Sequence, residues 1–505
     1  MTDPRDDKSR ILDTKGGLLA KSYEWIVDFG DFKKWRSDQG SGVFWISGSP
    51  GKGKTMLLCG IIDHLSNPGV KHIPPSFFFF QEGDSQLNNA TAVLRGLIYL
   101  LALQHRSFLD YLQERYSLSG GTLFADPENF FALSNVFRNM LSIQTTKPIY
   151  LIVDALDECQ TDLRKLLDLI CQTSSTPSNC VKWIVSSRNL YDIKEVLGPF
   201  EHKVYLSLDQ NDALISTAVN TYIDHKVNQL SRAKGYSRPV QEEVRKYLKE
   251  NANETFLWVA LVCQRLSGIK PWNTRAELHK FPPGLEDMYG VMLGQMLKLD
   301  DSDLDFCKSI LAIAMIAHRP ITFAELPSLI ELEGDISGYT EWLEDIIKLC
   351  GSFLITRRET IYFVHQSAKE YLQTHASTEI MPSGISDVHY GVSLRSLTIL
   401  MRTLRRDIYA QSRPGLAINQ MEKPDQDPLK TVRYSCVYWA HHLHEAYTKN
   451  LQKCRDCLSR GDNIVHQFLK RLFLYWLESL SLLRRMRAGI IAVEKLEGVL
   501  EVSCH

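Results

Sequence analysis

The sequence lacks an apolar run long enough to cross a membrane, and it lacks a secretory leader. No uninterrupted apolar stretch approaches the roughly 18 residues that a spanning helix requires. Met1 is followed by Asp3, Asp6 and Asp7, whereas a leader begins with basic and then apolar residues. These absences predict a protein without a membrane span and with a cytoplasmic location.

An excess of charge of one sign is also missing. The 505 residues carry 58 Lys plus Arg against 59 Asp plus Glu, for a formal net charge of −1. Such a balance does not favour nucleic acid or an anionic membrane as a partner, so we expect neither. Residues 401–505 carry a local basic excess, whose helical spacing favours a solvated helical face over an RNA surface.

Glycine, proline and cysteine are too sparse for a fibrous, disordered or disulfide-built chain. The chain has 29 Gly, 19 Pro and 11 Cys, and the cysteines are scattered, so we expect them to be reduced. One close pair, Cys454 and Cys457, follows His441, His442 and His444, but no second CxxC or HxxxH completes a zinc site. The composition therefore predicts a folded chain of several domains without a zinc site.

Short apolar runs alternate with helical patterns over the first 210 residues. The strand-like runs are 43–47 (VFWIS), 76–80 (SFFFF), 149–153 (IYLIV) and 183–185 (WIV). Helical spacing occurs at 56–65 and 90–104, and beyond Asp209 at 215–227, 240–248 and 256–266. Buried strands between helices predict an α/β fold, with a parallel sheet covered by helices on both faces. In such a fold, the FFFF run within residues 76–80 belongs to the hydrophobic core.

Residues 48–55 read GSPGKGKT and satisfy the pattern G-x-x-x-x-G-K-[ST] between a strand and a helix. Such glycines let the main chain wrap polyphosphate, and the following helix N-terminus favours the bound anion. Lys54 is expected to contact the β- and γ-phosphates, and the Thr55 hydroxyl to ligate Mg²⁺. The pattern predicts a nucleoside triphosphate site made of Gly48, Ser49, Pro50, Gly51, Lys52, Gly53, Lys54, Thr55 and Met56.

Carboxylates follow the apolar run 149–153, at a strand end of the kind where α/β sheets bind ligands. Asp154 fits a Mg²⁺ ligand, bound directly or through water, and either Asp157 or Glu158 fits the group that orients or deprotonates the attacking water. A carboxylate after a strand is otherwise often a helix cap. The phosphate-loop motif upstream favours the nucleotide role.

Ser186, Ser187 and Arg188 follow the next strand-like run, so we expect them beside the acidic pair. A guanidinium there would stabilise the charge that spreads over a transferring phosphoryl group. The pattern alone equally allows a surface arginine at a strand end.

Longer stretches of the chain resemble one family. They include DTKGGLL, FWISGSPGKGKTMLLCGII, LIVDALDEC, WIVSSRN, ETFLWVALV, FPPGLEDMY and FVHQSAKEYL. Together they resemble the NACHT domain and following domains of fungal STAND NTPases, which include vegetative-incompatibility proteins. The resemblance implies an extended Walker B element of Asp154, Asp157 and Glu158, a sensor at Arg188, and a winged-helix histidine, His365, near the phosphates. Without it, a lone histidine at an apolar strand–helix junction is more often a core residue.

The chain also departs from that family. Ser49 stands where many relatives carry Asp, and residues 253–255 (NET) stand where a glycine commonly precedes the FLW run. Family members usually carry an N-terminal effector domain and a C-terminal WD40 or ankyrin array. We recognise neither in this sequence, so we expect a reduced paralogue or an incomplete gene product.

The resemblance implies five domains in series. They are an N-terminal helical lead-in (1–40), a NACHT P-loop domain (41–210), a helical domain (211–284), a winged-helix domain (285–378) and a helical C-terminal region (379–505).

It also implies a signalling switch. Bound ADP or GDP would keep the domains closed, and exchange for ATP or GTP with Mg²⁺ would open them and promote homo-oligomerisation and contact with an effector protein. Slow hydrolysis would reset the switch. Two alternatives stay open: a non-hydrolysing scaffold that recruits a protein partner through its helical C-terminal region, and a metabolic P-loop kinase, which the lack of an obvious acceptor-substrate domain disfavours.

Overall fold

The chain divides into two compact units, residues 1–288 and 289–505. This division is coarser than the five domains that the resemblance implies, so those boundaries stay a prediction. The computed structural model describes residues 3–67, 74–104, 106–119, 129–143, 145, 147–175, 180–330, 343–350, 353–410, 424–449 and 464–503.

Strands and helices alternate in the first unit. Its described strands are β1 (Gly42–Ser47), β2 (Ser76–Phe79), β3 (Ile149–Asp154), β4 (Val181–Ser187) and β5 (Lys203–Ser207). Its described helices are α1 (Pro4–Lys15), α2 (Glu24–Asp28), α3 (Gly30–Ser37), α4 (Lys54–Leu65), α5 (Ala90–Gln104), α6 (Arg106–Ser119), α7 (Phe130–Ser142), α8 (Leu163–Ser174), α9 (Tyr191–Leu197), α10 (Asp212–Lys234), α11 (Arg238–Asn251), α12 (Phe256–Gly268) and α13 (Thr274–Leu278). The division between the units falls within α14 (Leu285–Met296).

The five strands form one parallel sheet in the order β2-β3-β4-β1-β5. In register, Val153 of β3 lies opposite Val185 of β4, and Ser47 of β1 lies opposite Ser187 of β4. The carboxyl ends of β1, β3 and β4 therefore meet at one edge, and so do the loops that follow them. The parallel sheet confirms the predicted α/β fold.

Alternate side chains of the central strands face opposite sides of the sheet. Trp45, Val153 and Val185 belong to one apolar core, which also contains buried residues of α5, α7 and α8. The buried residues of α4 are not part of that core, and α4 packs on β3 and β4 from the other face. Helices therefore cover both faces, as predicted, and the side chains that alternate with Val153 and Val185 face α4.

The sequence pattern did not predict β5. This strand lies at the edge of the sheet, and Lys203, Val204 and Tyr205 are only partly buried or exposed. An edge strand of this kind does not need a continuous apolar run, so its pattern is weak.

The second unit is mostly helical. Its described helices are α15 (Asp301–Ile316), α16 (Leu343–Leu349), α17 (Gln366–His375), α18 (Ser377–Ile380), α19 (Ile385–Thr403), α20 (Arg433–Lys449), α21 (Ile464–Leu482) and α22 (Met486–Ser503). Its described strands are β6 (Ile321–Thr322), β7 (Leu354–Arg357) and β8 (Thr360–Phe363). Cys454 and Cys457, considered above as a zinc pair, lie outside the described residues.

The sequence pattern marks only one of the three described strands of this unit. The run 361–364 (IYFV) has the apolar pattern of a strand, and it overlaps β8, the central strand of an antiparallel sheet of order β6-β8-β7. The strands β6 and β7 are two and four residues long, too short to give a recognisable pattern. The winged-helix assignment of residues 285–378 stays a prediction.

Four histidines come together inside the second unit: His318 after α15, His389 in α19, and His441 and His442 in α20. The Nδ1 atoms of His389 and His442 are 2.8 Å apart, and the Tyr434 hydroxyl lies 2.7 Å from His442 Nε2. The rings of His318 and His442 are 4.9 Å apart between centroids. Burial lowers the pKa of His318 to about 4 and that of His441 to about 3, so these rings are neutral at pH 7.

Candidate functional site

The loop between β1 and α4 depends on two glycines. Gly51 has φ 81° and Gly53 has φ 86°, and this left-handed region favours glycine. A Cβ atom on Gly51 would lie 2.7 Å from Thr255 Cγ2, and one on Gly53 would lie 2.9 Å from Phe256 Cδ2. Both glycines are therefore required by backbone conformation and by the close approach of the start of α12.

Lys54, the first residue of α4, folds back on the loop. Its Nζ donates to the carbonyl oxygens of Gly48 and of Ser49, the latter at 3.2 Å. Burial lowers the pKa of Lys54, while the nearby carboxylates of Asp157 and Asp154 oppose that shift. The ammonium thus lies at the carboxyl edge of the sheet, close to the acidic residues. Pro50 is in the turn of the loop, and Met56 is partly buried in the first turn of α4.

A carboxylate that the sequence reasoning missed holds the start of the loop. Both side-chain oxygens of Asp209 accept the backbone N–H of Ser49, at 3.0 and 3.2 Å. Asp209 lies two residues after β5, so the strand-end rule that identified Asp154 would have found it had β5 been predicted.

At residues 253–255, where the resemblance implies a glycine, the backbone takes a conformation that glycine favours. Asn253 has φ 45° and Glu254 has φ 53°, both in the left-handed region. Glu254 Oε2 lies 3.1 Å from Lys52 Nζ, and Leu257 N–H donates to Gly51 O at 3.4 Å. The segment 253–257 therefore covers the tip of the phosphate loop.

Asp154, at the end of β3, is buried and hydrogen-bonded. Ser186 Oγ donates to Asp154 Oδ1 at 2.5 Å, and the Thr55 side chain also hydrogen-bonds to Asp154. Burial raises the pKa of Asp154, and the two hydroxyls oppose that shift. A hydroxyl and a carboxylate are the hard oxygen donors that Mg²⁺ prefers, so Thr55 and Asp154 fit a magnesium site.

The acidic pair after Asp154 lies in a short turn, Leu156–Glu158. Asp157 Oδ1 accepts the backbone N–H of Arg188 at 2.9 Å, and Asp157 Oδ2 lies 3.0 Å from Arg188 Nε. The structure thus brings Arg188 to the acidic pair, as expected from its place after β4, and both oxygens of Asp157 bind this one residue.

Glu158 has a different partner. Its Oε2 accepts the backbone N–H of Glu82, which follows β2, at 3.0 Å. Removal from water raises the pKa of Glu158 to about 8, and the charges of Asp157 and Asp154 add to the rise. The hydrogen bond from Glu82 acts in the opposite direction. A carboxyl group with such a pKa can exchange a proton near neutral pH.

His365 belongs to the second unit and caps a helix there. It precedes α17, its Nδ1 accepts the backbone N–H of Ser367 at 3.1 Å, and the same atom lies 2.8 Å from Ser367 Oγ. Tyr289 OH lies 2.9 Å from the same Ser367 oxygen. These contacts give His365 a structural role, and its contact with nucleotide stays a prediction.

Within the part of the chain that the structure describes, no group of three or more His, Cys, Asp or Glu side chains is arranged to hold a metal ion. Among the same residues, no helix is both long enough and apolar enough to cross a membrane.

A parallel sheet, a glycine loop that leads into a helix, and Lys54, Thr55 and Asp154 at one edge define a P-loop nucleotide-binding domain. Residues 21–188 match the family described as "Nephrocystin 3, N-terminal". The chain is 46% identical to the vegetative incompatibility protein HET-E-1 of Podospora anserina over 517 residues, 99% of this chain and 38% of that protein. This similarity confirms the resemblance to vegetative-incompatibility proteins seen in the sequence, and the chain spans 38% of this relative's length.

Solved structures give weaker likenesses. The Walker-type ATPase paby2304 of Pyrococcus abyssi is 11% identical, with a TM-score of 0.31 over 70% of this chain and 94% of that chain. The ORC2 protein of Aeropyrum pernix is 12% identical, with a TM-score of 0.32 over 73% of this chain and 93% of that chain. At TM-scores this low, neither adds to the fold described above.

Proposed function

We propose that this chain is a nucleotide-dependent signalling switch. It binds ATP or GTP with Mg²⁺, hydrolyses the triphosphate slowly, and forms homo-oligomers in the triphosphate state. The supporting observation is that five side chains meet at one edge of the sheet: Lys54, Thr55, Asp154, Glu158 and Arg188. Homology with HET-E-1 supports a place in incompatibility signalling.

Each side chain has a defined part in binding. Lys54 would exchange its bonds to the loop carbonyls for charge-assisted bonds to the β- and γ-phosphates. Thr55 and Asp154 would hold Mg²⁺, which, when bound, neutralises charge on the phosphate oxygens. Asp209 keeps the start of the loop in place through the N–H of Ser49.

The contacts also indicate different roles for the two members of the acidic pair. Because Arg188 takes both oxygens of Asp157, we assign Asp157 to positioning Arg188, whose guanidinium would stabilise charge on the γ-phosphoryl group. Glu158 is then the group that orients and deprotonates the attacking water. Its bond to the N–H of Glu82 holds it in a different contact, so it must leave that contact to act.

The segment 253–257 is the element whose position over the loop would depend on the bound nucleotide. It covers the loop through Glu254 and Leu257, so a state that moves it away must give up these contacts. A shift between populations of 1:99 and 99:1 requires about 5.5 kcal/mol of differential binding, which a γ-phosphate with Mg²⁺ and several donors can supply. Contact between His365 and the nucleotide is part of the same proposal.

The first test is the nucleotide content of the purified protein, released by denaturation and identified by chromatography. Lys54→Ala should weaken triphosphate binding at least about tenfold, because a charge-assisted hydrogen bond contributes about 1.5–3 kcal/mol. Lys165→Ala, at an exposed position on α8, is the matched control. Unchanged affinity in the Lys54 variant would contradict the binding proposal.

Single-turnover hydrolysis separates the switch from the scaffold. Glu158→Gln should bind triphosphate as the natural protein does but hydrolyse it more slowly. Asp157→Asn should also slow hydrolysis, through loss of the ion pair with Arg188. A natural protein that binds triphosphate and shows no hydrolysis above background would favour the non-hydrolysing scaffold instead.

A further inference from the structure

Ser186 and Ser187 are neighbours in sequence but face opposite sides of the sheet. Val185 of β4 faces the core shared with α5, α7 and α8, so Ser186 faces α4 and Ser187 faces the core again. Ser187 Oγ accepts the indole N–H of Trp45, a core residue, at 2.8 Å. Only Ser186 therefore lies on the side that carries the phosphate loop and Thr55.

The register of β3 and β4 places Ser186 beside Asp154. Val153 lies opposite Val185, so the next residues, Asp154 and Ser186, are neighbours where the ladder ends. Both side chains are buried, with exposed fractions of 3% for Asp154 and 0% for Ser186.

The Ser186 hydroxyl makes two hydrogen bonds there. It donates to Asp154 Oδ1 at 2.5 Å, and it accepts the backbone N–H of Ala155 at 2.9 Å. Ala155 has φ 57°, an unfavourable left-handed value for a residue with a Cβ atom. This one hydroxyl thus fixes an oxygen of the carboxylate and also the turn that directs the chain towards Asp157 and Glu158.

We propose that Ser186 is a positioning residue, which orients the Asp154 carboxylate so that it and Thr55 bind Mg²⁺ together with the triphosphate. The inference rests on the proposed function. Ser186 is fully buried and acts through Asp154. Its effect on nucleotide affinity should therefore fall mainly on the part that depends on Mg²⁺.

The test compares triphosphate affinity with saturating Mg²⁺ and with EDTA. Ser186→Ala should weaken binding about tenfold or more with Mg²⁺ and by less than about twofold with EDTA. Ser186→Thr, which keeps the hydroxyl, should restore most of the Mg²⁺-dependent affinity. Ser187→Ala removes a neighbouring hydroxyl on the other face and should behave as the natural protein does in both conditions.

Two further measurements distinguish a positioning role of Ser186 from a general effect of the substitution on the fold. Ser186→Cys keeps the side-chain shape, with a somewhat larger atom in place of the hydroxyl oxygen, but is a weak donor, so it should lose Mg²⁺-dependent affinity while its melting temperature in EDTA stays near that of the natural protein. In a double-mutant cycle, Ser186→Ala should add little to the loss caused by Asp154→Asn, because it acts through that carboxylate. Additive losses would overturn the proposal.

The outcomes distinguish this inference from the proposed function. If the natural protein binds Mg²⁺–triphosphate and Ser186→Ala binds it equally well, the positioning role is wrong and the proposed function stands. If Ser186→Ala loses affinity equally with Mg²⁺ and with EDTA, the serine supports the fold rather than the carboxylate. If the natural protein binds no nucleotide in either condition, both are wrong.

Discussion

Acidification should destabilise the second unit through its buried histidines. In the unfolded chain these rings titrate near pH 6.5, whereas the folded pKa is about 4 for His318 and about 3 for His441. Between those values the unfolded state binds protons that the folded state does not. The contribution to stability is therefore fully present above about pH 6.5 and is lost as the pH falls below it.

The size of the effect follows from the same shifts. One pKa unit is worth about 1.36 kcal/mol, so at pH 5 each of the two rings costs about 2 kcal/mol of unfolding free energy. Together they remove about 4 kcal/mol, a large part of the roughly 5–15 kcal/mol that holds a typical domain folded. Among the charged groups that face His318, Glu445 raises its pKa, while Lys495 and Lys369 lower it.

This loss of unfolding free energy can be measured by urea titrations at several pH values, in which hydrogen-exchange pulses at one fixed pH report the unfolded fraction. Burial also lowers the pKa of His442 well below its usual value, so this ring adds to the loss. Peptides from α19 and α20 should show an unfolding free energy that falls by at least about 2.5 kcal/mol per pH unit between pH 6 and 5. His441→Gln should lower that slope by about 1.2 kcal/mol per pH unit, and His466→Gln, at an exposed position of α21, should leave it unchanged. A natural slope below about 1 kcal/mol per pH unit, or no change in the His441 variant, would refute the reasoning.

Three other results are expected. Gly51→Ala should lower the unfolding free energy of the first unit by about 2–4 kcal/mol, because the new Cβ meets Thr255 Cγ2 at 2.7 Å in a left-handed conformation. Gly235→Ala, also left-handed but with no atom within 4 Å, should cost only about 1–2 kcal/mol, and equal losses in urea titrations would contradict the clash. The single-turnover hydrolysis rate should rise with pH through about 8, where Glu158 loses its proton, and Glu158→Gln should flatten that profile. Light scattering should give a larger mass with a non-hydrolysable triphosphate than with diphosphate, and one identical monomer mass in both would exclude the oligomerising switch for this chain.

Local patterns carried most of what the sequence could predict. The phosphate loop is a contiguous run with fixed spacing between a strand and a helix, and α5 begins and ends where its apolar spacing indicated, at Ala90 and Gln104. Asp154 was identifiable because a fully buried strand precedes it. The edge strand β5 lacks that signal, so Asp209 and its bonds to the loop were missed.

Long-range contacts were beyond the sequence patterns. The two bonds between Asp157 and Arg188 depend on the turns that follow β3 and β4, and only the register of these strands brings Ser186 to Asp154. The histidine cluster joins residues from positions 318 to 442, and no local periodicity marks them as neighbours. The left-handed backbone at Glu254 runs against residue preference, so the sequence pattern could not predict it.

The opposite orientation of two neighbouring serines has a consequence for how this sequence can vary. Position 187 is tied to position 45 through the indole N–H of Trp45, and position 186 is tied to position 154 through the carboxylate. In homologous chains, loss of the indole at 45 should permit loss of the hydroxyl at 187, whereas the hydroxyl at 186 should persist wherever an acid stands at 154. Two adjacent and chemically identical residues should then evolve independently, each following a different distant partner.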